Sequence, residues 1–73
     1  MTQNDLVAAM ADIQNKFAGK SFQYDIFLTS GEHFEGIPEQ VKGSGTLWVM
    51  EGGNPTGPVY FSAVDVVAIQ PDF

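Results

Sequence analysis

The spacing of apolar residues changes once along this chain, and that change limits what it can fold into. Leu6, Met10, Ile13 and Phe17 recur at steps of four, three and four residues, the spacing of one helix face. From Ser21 the period falls to two: Phe22, Tyr24, Ile26 and Leu28 alternate with Gln23, Asp25, Phe27 and Thr29, the pattern of a strand with one face inward. A helix over residues 2–18 is expected, then strands across about residues 21–69, with residues 70–73 as a short tail.

The ends of the helix carry matching signals. Thr2 suits the N-cap, with Asp5 in the first turn near the positive end of the helix dipole. Lys16 falls in the last turn, and Gly19 can take the left-handed conformation that closes a helix.

Glycine and proline divide the remainder. Gly31 in "TSGEH" supplies a turn, and the chain resumes from His33 to Ile37 as a returning strand with Phe34 facing the core. Gly36 inside that strand marks a bulge or sharp bend, reinforced by Pro38. "EQVKGSG" is a second connection, and Thr46 to Glu51 a third strand, with Leu47 and Val49 opposite Trp48 and Met50. Apolar groups on both sides imply burial on both faces, or one face offered to a partner. Gly52 to Pro58 reads as a long hairpin loop. Val59–Ser62 and Asp65–Ile69 follow as short strands, with Ser62, Ala63 and Val64 forming a sharp link.

At 73 residues this is a single domain, residues 1–73. A chain of this length buries only about 60% of the surface its unfolded form exposes. It has no cysteine for a disulfide or a thiolate zinc site, which fits a reducing cytoplasm. Association between copies is the remaining source of extra stability. The opening ten residues carry Asp5 and no basic residue, the wrong polarity for a secretory signal. No apolar run approaches the ~20 residues of a membrane span. Nine acids against Lys16, Lys20 and Lys42 give a formal charge of −6, which repels phosphate backbones and disfavours RNA and DNA.

One helix and five short glycine-bent strands define a mainly β (α+β) fold. They suggest an N-terminal helix followed by a five-stranded, strongly bent antiparallel small barrel of the Sm-like or SH3-like kind. The hairpin "YDIFLTSGEHFEGI", with a glycine at its turn and another five positions on, resembles the first motif of the Sm-like family, and "VYFSAVDVVAI" resembles the second. Within that family the chain is most similar to the bacterial Hfq group. The resemblance implies a helix-capped five-stranded barrel and a homo-oligomeric ring in which the fourth strand of one subunit pairs with the fifth of the next. Val59, Tyr60, Phe61, Val66, Val67 and Ile69 would lie at that interface. Phe27, on the otherwise polar side of the first strand, is a further interface candidate.

The chain departs from the family at its RNA site. Hfq-type proteins carry a basic residue and a histidine after the tyrosine of the second motif, whereas Tyr60 is followed here by Phe61 and Ser62. Any RNA contact would fall to Tyr60, Phe61 and Lys42. Trp48, Tyr60 and Phe61 could stack on bases, but core or interface suits them better without a basic groove.

Glu32, His33 and Glu35 could offer nitrogen and oxygen to a metal. In an extended strand only His33 and Glu35 share a side, and the pattern reads more readily as a solvated hairpin tip. The sole histidine has no cysteine and no evident serine partner, so no catalytic residues are assigned and no cofactor is expected. "EGGNPTG" lacks the lysine and following helix of a phosphate loop. The expectation is a non-enzymatic, self-associating interaction module with itself or another protein as partner; the alternative is an RNA-binding ring.

Overall fold

The computed structural model describes residues 1–51 and 57–73. Helix α1 spans Gln3–Lys16 and is followed by β1 (Gln23–Leu28), β2 (His33–Gln40), β3 (Leu47–Glu51) and β4 (Val59–Ser62). A single turn of 3-10 helix, Ala63–Asp65, then leads into β5 (Val66–Asp72).

The helix starts where its cap is. The Thr2 hydroxyl oxygen accepts the Asp5 N–H at 3.1 Å, satisfying one of the amides a helix start leaves unpaired. It ends at Phe17, whose N–H donates to the Ile13 carbonyl, and Gly19 turns the chain at φ 84°. Leu6 is fully buried, Met10 packs against the core, and Ile13 and Phe17 are half-buried.

The strands form one antiparallel sheet in the order β4-β3-β2-β1-β5. β2 belongs to two ladders. Its first half pairs with β1, from Phe27↔His33 to Tyr24↔Gly36, and its second half pairs with β3, from Ile37↔Glu51 to Gln40↔Trp48. The handover falls at Gly36, whose φ of 146° is open to glycine and strained for other residues. Pro38 lies beyond the last pair with β1, so its missing N–H interrupts no rung of that ladder. The 3-10 turn is stitched to both connections: Thr29 N–H donates to the Asp65 carbonyl at 2.8 Å, and Ala63 N–H to the Thr46 carbonyl at 2.9 Å. Among the described residues no pairing between β4 and β5 closes the sheet, so the five strands form an antiparallel sheet and not the closed form of the expected small barrel.

Leu6, Ile26, Trp48, Met50, Phe61, Ala63 and Val66 form the core, with Leu28, Phe34, Val59 and Ile69 packed around it. β3 is buried on one face only: Trp48 and Met50 point inward, Leu47 is exposed and Val49 half-buried. Of the two alternatives for this strand, burial on both faces does not occur, and the face of Leu47 and Val49 is left the more open. β5 also outruns the expected end at Ile69, since Gln70, Pro71 and Asp72 continue its pairing with Asp25, Tyr24 and Gln23. Phe73 packs its ring 5.0 Å from Phe17 and 5.5 Å from Phe22, so the expected tail is held at the helix end. Most of the expected Gly52–Pro58 loop lies outside the described residues.

Candidate functional site

Two features of the sheet can do something beyond holding the fold: its edges and its outer face. β4 and β5 end the strand order, so each has one side that bonds to no strand among the described residues. Exposed apolar side chains accompany them, with Tyr60 on β4 62% exposed, Val64 on the link 61% and Val67 on β5 57%. Val49 pairs with Tyr60, and Leu47 with Ser62, so alternation places these residues on the face away from the buried Trp48 and Phe61.

The sequence-derived interface residues divide accordingly. Tyr60 and Val67 are exposed, Val59 and Ile69 are half-buried, and Phe61 and Val66 are core residues at 5% and 1% exposure. Phe27 is half-buried, with its ring stacked on the His33 imidazole at 5.2 Å and an interplanar angle of 17°. Of the three RNA candidates, Tyr60 and Lys42 are exposed and Phe61 is buried. Lys16 pairs with Asp12 at 2.9 Å, and the Lys20 ammonium lies 5.8 Å from the Phe73 ring centre. Trp48 is a core residue.

On the outer face of the β5-β1-β2 half-sheet the pairing registers align side chains in rows across the strands. Ala68, Phe27 and His33 form one, and Gln70, Asp25 and Glu35 the next. Asp25, His33 and Glu35 each present one ligand atom, all within 4.8 Å of one another. Asp25 is only 9% exposed. Its Oδ2 accepts a long contact from Gln70 Nε2 at 3.5 Å, while its Oδ1 is buried with no hydrogen-bond partner among the described residues.

The sequence reading grouped His33 and Glu35 with Glu32 at a hairpin tip. Instead, Glu32 Oε1 accepts from the Ser30 hydroxyl at 3.2 Å, and Glu35 lies inside β2 opposite Asp25. Asp25 was missed although the turn chemistry foretells it. Leu28 N–H donates to the Glu32 carbonyl, Gly31 N–H donates to the Leu28 carbonyl, and Gly31 has φ 91°. This is a three-residue hairpin loop with glycine in the left-handed position. Counting back from Leu28 and Glu32 sets Phe27 against His33 and Asp25 against Glu35.

A shallow cleft of about 360 Å³ lies between the helix end and β1, lined by Phe17, Lys20, Phe22, Tyr24 and Ile37 among others. Among the described residues no helix is long and apolar enough to cross a membrane. Comparisons with protein-family models, characterised proteins and solved structures find no match to this chain.

Proposed function

We propose that this protein is a non-enzymatic Sm-like interaction module that assembles by strand addition, the free edge of β4 in one copy pairing with the free edge of β5 in the next. The observation that carries this reading is the strand order, which leaves β4 and β5 at opposite ends of one sheet. A free strand edge presents unpaired N–H and C=O groups and is a template for another strand. Here the edges carry exposed Tyr60 and Val67 and no lysine, the residue that most often blunts such an edge.

Joining two different edges is a heterologous contact, which closes into a ring when the rotation per subunit permits. The change of partner along β2 at Gly36, from β1 to β3, supports the small-barrel reading, because a bent strand shared between two ladders is how a short sheet curls. Within the assembly Tyr60 and Val67 are the exposed side chains available to the neighbour, while Val59 and Ile69 pack against the chain's own core and Phe27 stands on the outer face.

Light scattering after size-exclusion chromatography tests the proposal, with a mass of several chains expected at tens of micromolar. A mobility-shift titration with U-rich and A-rich RNA at low salt tests the role. No shift is expected at micromolar protein, and a clear shift would replace the interaction module by an RNA-binding ring.

A further inference from the structure

We propose that Asp25, His33 and Glu35 form a divalent-cation site on the outer face of the β1–β2 hairpin, suited to a first-row ion such as zinc. The site follows from register. Asp25 lies directly across the ladder from Glu35, and His33 is two residues before Glu35 on β2, so all three project from the same face. Their ligand atoms lie within 4.8 Å of one another. Donor atoms about 2.0–2.2 Å from a zinc ion sit roughly 3.0–3.5 Å apart, so closure brings these atoms together by roughly another 1 Å through side-chain rotation. His33 is exposed, which leaves its imidazole room to rotate toward the two carboxylates.

An acidic pair alone would be weak grounds for a site. The independent observation is the Asp25 carboxylate, nine-tenths buried, with Oδ1 shielded from water and lacking a donor among the described residues. A buried oxygen of this kind retains its desolvation penalty, and like charges directly opposite in a ladder repel. A cation between Asp25 and Glu35 answers both. The surroundings suit a ligand set: Gln70 Nε2 contacts the other Asp25 oxygen, and Phe27 stacks flat on the His33 ring. Outer contacts of this kind fix the orientation of ligating groups. One imidazole and two carboxylates favour a borderline first-row ion over magnesium or calcium, which take all-oxygen sets. The exposure of His33 leaves outward coordination positions to water.

The test uses the full, untagged chain, freed of metal by a chelator and titrated with zinc chloride. Because His33 is the only histidine, its imidazole C–H resonances report the site without ambiguity. They are expected to shift and saturate at one zinc per chain, with micromolar affinity by calorimetry. Asp25→Asn and His33→Ala should each weaken binding by about tenfold or more, while Glu32→Gln leaves it unchanged. His33→Ala lies at an exposed position and decides the matter if Asp25→Asn fails to fold. Imidazole resonances unmoved by millimolar zinc, binding that survives both substitutions, or an equal response to magnesium would each overturn the proposal.

Discussion

Tyr24 on β1 pairs with Gly36 on β2, and the residue after Gly36, Ile37, already pairs with Glu51 on β3. One residue therefore carries the change from one half of the sheet to the other. Its positive φ of 146° excludes a Cβ at little strain.

Gly36→Ala is expected to lower stability by about 1–3 kcal/mol, the strain of a side chain in a glycine-only conformation. Urea unfolding checks this. The midpoint should fall while the slope, which follows the surface exposed on unfolding, stays constant.

Leu6 joins the helix to the sheet and is fully buried. Leu6→Ala is expected to cost about 2–5 kcal/mol, a large share of the stability of so small a domain. Trp48 provides the reporter, being the single tryptophan and 3% exposed. Its emission should be blue-shifted in the native protein and move to the red at lower denaturant in the variant.

Much of this architecture was legible in the chain. The change of period near residue 20 located the helix and first strand, Thr2 and Gly19 marked the helix ends, and Gly31 and Gly36 gave the turn and the bend. The candidate site was legible only in part. Residue types alone grouped Glu32 with His33 and Glu35, because neighbours in sequence are easy to see and neighbours across a ladder are not. Asp25 joins them through register, which depends on loop length and on the left-handed glycine. Which face of β3 is covered stayed open for a related reason. Leu47 and Val49 are as apolar as Trp48 and Met50, and only the tertiary packing of Trp48 and Met50 with Leu6, Ile26, Phe61 and Val66 decides which pair is covered.

Edge pairing predicts a specific response to charge. Tyr60→Lys or Val67→Lys changes the formal charge from −6 to −5 by one added positive group, which reduces repulsion between copies. Each should nevertheless weaken assembly, because lysine on an edge strand opposes strand addition. Both side chains are more than half exposed, so the thermal stability of the dissociated chain should change by less than about 0.5 kcal/mol. Dissociation on dilution, followed by light scattering, separates the two quantities.

Salt should act in the opposite direction from its effect on nucleic-acid binding. Copies carrying a formal charge of −6 each repel one another, and raising ionic strength screens that repulsion. The assembled fraction is expected to rise between low and moderate sodium chloride, as sedimentation velocity would record.

The solution mass tests the central claim most directly. Size-exclusion chromatography with light scattering across the micromolar range should give a discrete multiple of the 7.9 kDa chain, lost on substitution at Tyr60 or Val67. A mass of one chain at every concentration up to tens of micromolar would contradict assembly through the β4 and β5 edges.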